Sequence, residues 1–332
     1  MKKLIALLTL ITICATLLCS CAFINSLIKG EPEQLSIGYL AGPTGMGIAK
    51  LIHDNGGEGG NEKYSFTKYA DSNAAKADLA AGKIDIICLP TNDAAMFYNT
   101  VDNSSKVLAV NCLNSLYLLT KGSEKVSSLS DLEGQTIFTC KNGTPRMVLE
   151  YIIKTAGINA TISYEFEGKE ILTPQELSAY VVSGKLPNAV MPEPLVTSSL
   201  LQITKNGDNN ITYTVDVNLA SEWENVSDTP VTMGCIVANG SAVNEKKDEI
   251  DAFLDEYKAS IEYIGNPDNL DSAAEFVVEN GIMGAVPAAK KALTNLNGAI
   301  SYIDSEDMKE ALEAFYTAIG IKLPGDDFYY ER

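Results

Sequence analysis

From Leu35 onward, short apolar runs alternate with stretches in which apolar residues recur every three or four positions. Leu35–Leu40, Tyr64–Tyr69 and Ile84–Leu89 read as strands, and helical spacing follows each, from about Met46, from Asn73 and from Asp93. This repeated order predicts an α/β fold on a mostly parallel sheet. Val107–Leu113 and Leu116–Thr120 are strand-like with no helix between them, and they run into the polar break Lys121-Gly122-Ser123-Glu124-Lys125. A second series begins at Ser128, with strands over Gln135–Cys140, Thr161–Phe166 and Asn188–Met191 and helices over 145–156, 174–183 and from Pro194. After the 206–210 loop come another strand and the apolar segment Val231–Ala238. The remainder reads as helix, over 248–264, 272–280, 287–296 and 307–319, with acids opposite the apolar faces.

The start of the chain follows a different pattern. Met1-Lys2-Lys3 precedes the apolar run Leu4–Leu18, which ends in Leu18-Cys19-Ser20-Cys21. A charged start, an apolar run too short to span a bilayer comfortably and a small residue before a cysteine form a bacterial lipoprotein signal. Residues 1–20 are then a signal peptide that is removed, Cys21 is the lipidated first residue, and 21–34 form a tether. The expected location is the extracytoplasmic face of the bacterial cell membrane, with at least two acyl chains on Cys21 for stable anchoring.

The 332-residue chain has a formal net charge of −18, and removal of Lys2 and Lys3 takes it to −20. Such a surface argues against nucleic acid or anionic lipid as a partner. Cys88, Cys112, Cys140 and Cys235 remain after processing, none in a close metal-ligand spacing, and they read as free thiols. The single histidine, His53, lies beside Asp54 on the first helix, so a catalytic triad or a histidine-rich metal site has almost no material. No cofactor, metal or catalytic residue is expected.

Binding chemistry is better represented. Gly42-Pro43-Thr44-Gly45-Met46-Gly47 follows a strand and opens a helix, as a tight turn or as a cradle of backbone N–H groups. It has neither GxGxxG spacing nor the lysine of a P-loop. Leu89-Pro90-Thr91-Asn92-Asp93 and Lys141-Asn142-Gly143-Thr144-Pro145 repeat the strand-to-helix design. Ligands of α/β sheets bind outside the carboxyl ends of strands, so loops from two domains can converge on one cleft. Arg146 is placed to pair with an anion or to form a surface salt bridge. Glu193, between Pro192 and Pro194, is placed to bond a ligand amine or to cap the next helix. Tyr39 and Tyr117, near strand ends, are either ring-stacking or core residues.

The stretches IGYLAGPTGMGIAKLI, AAGKIDIICLPTNDAAMFYN, SSLSDLEGQTIF, NGTPRMVLEYIIKTAGI and VVSGKLPNAVMPEPLVTSSL together resemble the type II solute-binding lipoproteins of ABC importers. The similar branch includes receptors for alkanesulfonates, taurine, nitrate and thiamine precursors. The resemblance implies a two-lobed periplasmic-binding-protein type II fold with hinge strands between the lobes and a helical C-terminal tail. Lobe 1 would comprise 35–117 plus 240–332, and lobe 2 would comprise 118–239. The implied ligand contacts are Gly42, Pro43, Thr44, Gly45 and Met46, then Pro90, Thr91 and Asn92, then Asn142, Gly143 and Thr144, and Glu193, with Tyr39, Tyr117 and Arg146 as lesser candidates.

The implied function is a lipid-anchored receptor, monomeric, that binds a small molecule between its lobes and delivers it to a permease and ATPase. Small-anion receptors of this kind rely on basic residues, and this chain has two arginines, Arg146 and Arg332. An organic ligand with polar ends, including a heteroaromatic one, therefore fits better than sulfonate or nitrate. The alternatives are an enzyme on the same fold, with Glu193 or Asp93 as general base, or a ligand-sensing surface lipoprotein.

Overall fold

Nearly every side chain of β1 (Leu35–Leu40) is buried, as in a strand covered by helices on both faces. It leads through the short α1 (Pro43–Met46) and α2 (Ala49–Asp54) to β2 (Tyr64–Tyr69), α3 (Ser72–Ala80), β3 (Ile86–Pro90), α4 (Thr91–Thr100) and β4 (Lys106–Leu113). Gly47 and Ile48 separate α1 from α2, so the helix expected from Met46 is two pieces.

The chain then passes through Asn114 and Ser115 into β5 (Leu116–Lys121) of a second sheet. There follow β6 (Thr136–Phe138), α5 (Thr144–Ala156), β7 (Thr161–Ser163), β8 (Glu165–Phe166), β9 (Lys169–Glu170), α6 (Pro174–Val182), β10 (Asn188–Pro192), α7 (Leu195–Asn206) and β11 (Tyr213–Asn218). Through α8 (Leu219–Glu224) the chain returns to the first sheet as β12 (Thr232–Ala238). The tail is α9 (Gly240–Glu245), α10 (Lys247–Ile264), α11 (Leu270–Glu279), α12 (Val286–Asn295), β13 (Ile300–Ile303) and α13 (Ser305–Ala318).

This computed structural model describes residues 33–122, 125–207 and 210–332. The expected signal peptide, the lipid site at Cys21 and the tether as far as residue 32 lie outside the described residues.

The first sheet has the order β13-β4-β12-β3-β1-β2, and the second β11-β5-β10-β6-β7. β2-β1-β3 and β7-β6-β10 are parallel, as repeated β–α units require. The other partners run antiparallel, which corrects the expectation of mostly parallel sheets. The cause is the crossing itself. β4 leaves the first sheet at its carboxyl end, and the returning β12 inserts between β3 and β4 against the direction of both.

The chain crosses between the two sheets twice. Leu116 and Tyr117 pair within the second sheet, and Thr232–Ala238 pair within the first, so the crossings are residues 114–115 and 219–231. Asn114 Nδ2 donates to Asn218 Oδ1 at 2.7 Å and ties the first crossing to the end of β11, where the second begins. The strand expected over Thr161–Phe166 is also interrupted, because a turn at Glu167-Gly168 (φ 51° and 75°) folds β8 back on β9.

Residues 35–332 form one compact unit that contains both sheets and three hydrophobic clusters, so it carries its own means of folding. One cluster lies between β1, α2 and the tail helices α10 and α11, around Met46, Phe253 and Tyr257. A second lies under α6 and α7, around Leu177 and Val196. The third is continuous from the first sheet to the second and includes Trp223 of α8. The Trp223 ring lies 4.7 Å from Tyr151 of α5 and 5.6 Å from Phe315 of α13, bridging the second lobe to the tail.

Local sequence explains why α5 presents the site. Pro145 fits its first turn, while Val148, Leu149, Ile152 and Ile153 fall on one buried face. Gly157, at φ 69°, ends it in a left-handed cap. Full burial of each such side chain stabilises by about 1.5–3 kcal/mol before entropy is counted.

Candidate functional site

The carboxyl ends of β1 and β3 in one lobe and of β6 and β10 in the other are followed by the four loops singled out in the sequence. After β1, Gly42 has φ 120°, a conformation that favours glycine, and its carbonyl accepts from the N–H groups of Gly45 and Met46 at 3.1 Å. Gly45 is constrained more tightly. A Cβ there would lie 1.9 Å from the Leu40 carbonyl oxygen. Thr44 is buried, and its carbonyl accepts from Asn111 Nδ2 at 3.0 Å. Met46 is fully buried in the cluster beneath, so its side chain packs the core instead of lining the loops.

After β3, Thr91 Oγ1 donates to the Thr232 carbonyl at 2.6 Å, which fixes the start of α4 against the returning strand. Asn92 is 3% exposed, and its Nδ2 donates to Asp93 Oδ1 at 3.2 Å. Asp93 forms an ion pair with Lys76 at 3.6 Å.

After β6, Gly143 at φ 92° turns the chain into α5, leaving Asn142 exposed and Thr144 buried. Thr144 Oγ1 donates to Asn92 Oδ1 at 2.7 Å, a buried contact between loops that belong to different sheets. Arg146 has partners of its own. Its guanidinium lies over the Tyr164 ring and 3.7 Å from Glu150, the salt-bridge alternative.

Glu193 is completely buried. Its Oε2 accepts from the Thr197 N–H at 3.1 Å and its Oε1 from Thr197 Oγ1 at 2.9 Å, so it caps α7. Oε1 also accepts from Asn295 Nδ2 at 2.5 Å, at the end of the tail helix α12. Burial raises the Glu193 carboxyl above its ordinary value, opposed by the hydrogen bonds from Asn295 and Thr197 and by the charge of Lys291. Tyr117 is pushed up to about 12, chiefly by burial and then by the charge of Glu193, so its phenol stays protonated. Its hydroxyl donates to the Asn295 carbonyl at 2.5 Å.

The fold therefore places Asn92 against Thr144, and Glu193 and Tyr117 around Asn295. It does not place Tyr39 with them. Tyr39 is fully buried against the tail, where its hydroxyl donates to the Asn280 carbonyl at 3.2 Å. Asn111 and Asn295 were not legible as site residues. Asn111 lies within an apolar strand, where its side chain secures the glycine-rich loop, and Asn295 ends a helix, where asparagine is ordinary. Open hollows beside Ile158 and beside Tyr302 lie away from this seam.

No family model and no curated relative matches the chain. Solved structures do match. The chain is similar to an ABC transporter protein from Parabacteroides distasonis, with 20% identity over 90% of this chain and 99% of that one and a TM-score of 0.67. The periplasmic aliphatic sulphonate-binding protein of Escherichia coli matches with 15% identity over 91% and 93% of the two chains and a TM-score of 0.65. The periplasmic nitrate-binding protein of Synechocystis PCC 6803 matches with 13% identity over 84% and 75% and a TM-score of 0.58. The fold is shared with these periplasmic binding proteins.

Proposed function

We propose that the protein is a lipid-anchored extracytoplasmic receptor that binds a small organic solute between its lobes and presents it to an importer permease. The observation that carries this reading is the convergence of loops from two sheets, with Asn92 and Thr144 in direct contact. A solute that touches both lobes shifts the population toward the closed form, which is the state a permease can recognise. The backbone of Gly42–Gly45, Pro90–Asn92 and Asn142–Thr144 forms the contact set. Cys21 carries the lipid, and the receptor acts as a monomer.

The chemistry of the seam favours a neutral solute bearing hydrogen-bond donors and acceptors. Asn92 and Thr144 are uncharged, Lys76 is paired with Asp93, and Arg146 is engaged with Glu150 and Tyr164. The two basic side chains among these four, Lys76 and Arg146, already face acids, which disfavours nitrate or sulfonate as the solute. A thermal-shift screen of residues 35–332 against neutral heterocycles, thiamine precursors, sulfonates and nitrate tests the assignment. Saturation at 100 times Kd adds about 2.7 kcal/mol. Stabilisation by a neutral solute supports the reading, and stabilisation by the anions alone overturns its ligand class.

A further inference from the structure

Glu193 and Asn295 belong to different lobes and lie 102 positions apart, yet they share one partly buried contact. Asn295 is held from two sides. Its side chain donates to Glu193 Oε1 at 2.5 Å, with Thr197 Oγ1 at 3.4 Å, while its main-chain carbonyl accepts from Tyr117 at 2.5 Å. That carbonyl belongs to the last residue of α12, where a helix leaves its carbonyls without intrahelical partners. Glu193 is likewise spoken for. Its two oxygens accept from the Thr197 N–H, the Thr197 hydroxyl and Asn295, and its own N–H donates to the Ser115 carbonyl at 2.8 Å. A carboxylate so engaged has little capacity left for a solute amine.

We infer that Glu193, Tyr117 and Asn295 form an interlobe latch, in which the tail helix α12 grips the second lobe and part of the closing force is built into the protein. In the latch Glu193 acts as a positioning residue. Charge-assisted hydrogen bonds are the stronger kind, and the completely buried Glu193 is left one donor short if Asn295 is lost. The closed arrangement is thereby favoured before any solute is counted, which lowers the differential affinity a solute must supply. The inference rests on the contact alone and stands whatever solute the cleft takes.

Small-angle X-ray scattering of residues 35–332 without added solute, at about pH 8 where free carboxyls are ionised, tests it. Asn295→Asp sets a second carboxylate against Glu193 and is expected to raise the radius of gyration. Adding Glu193→Gln to that variant restores a donor–acceptor pair with the roles exchanged, and is expected to return the radius to the wild-type value. An unchanged radius in Asn295→Asp, or no recovery in the double variant, overturns the latch. If circular dichroism shows Asn295→Asp unfolded, Asn295→Leu, which removes the donor without adding charge, decides by the same readout: expansion supports the latch and an unchanged radius overturns it.

Discussion

Thr144 Oγ1 and Asn92 Oδ1 meet at 2.7 Å across the boundary between two sheets, and both residues are buried. A neutral pair at this position joins the lobes without committing the cleft to a charged solute. Asn92→Ala and Thr144→Val each remove one half of the pair. Each is expected to weaken binding of the stabilising solute about tenfold, the equivalent of about 1.4 kcal/mol. Calorimetric titration checks this, and unchanged affinity in both variants removes these loops from the site.

Gly42 and Gly45 serve the same loop for different physical reasons, and alanine separates them. At Gly42 nothing lies within 4 Å of a new Cβ, so Gly42→Ala suffers only backbone strain at φ 120°, of about 1–3 kcal/mol. At Gly45 the Cβ would strike the Leu40 carbonyl at 1.9 Å, and backbone must move. Urea unfolding should find Gly45→Ala the more destabilised of the two.

The pH dependence of stability follows from the buried Glu193. Its carboxyl is raised in the fold, so its contribution is fully present below the ordinary carboxylate value and is lost as pH rises through the raised value. Unfolding free energies measured across that window should therefore fall with pH more in the wild type than in Glu193→Gln. Identical pH profiles would show that folding does not shift the Glu193 carboxyl.

The four cysteines of the described residues are free and buried. Burial pushes the thiols of Cys88 and Cys112 up to about 12 and that of Cys140 to about 11. Thiolate is the reactive form, so residues 35–332 should resist alkylation when folded and react fully in urea. Rapid labelling of the folded protein, read by mass spectrometry, would contradict this burial.

Trp223 is the only tryptophan in the chain, and it touches both Tyr151 and Phe315. Trp223→Ala should cost about 3–5 kcal/mol, because a large buried side chain shared by two lobes leaves a cavity that neither can fill. Denaturant unfolding monitored by circular dichroism measures this. A loss below 1 kcal/mol would mean that the bridge contributes little.

Much of this architecture was legible because it is local. The β–α alternation placed most of the strands and the helices that follow them. The loops after β1, β3 and β6 could be read from their glycines, prolines and small polar residues. Features that depend on distant partners could not. Nothing near Val231–Ala238 says that this strand inserts between β3 and β4, and nothing near Asn295 points to Glu193. Proximity to a strand end also does not say which way Tyr39 and Met46 face. Both pack under the tail helices, whose positions emerge only in the fold.

Equilibrium dialysis of residues 35–332 against the solute that stabilises it, with the solute recovered and identified by mass spectrometry, tests the receptor assignment most directly. The account predicts saturable binding to a single site, a neutral solute recovered unaltered, and no displacement by excess nitrate or sulfonate. A solute recovered chemically changed, or displaced by those anions, would contradict it.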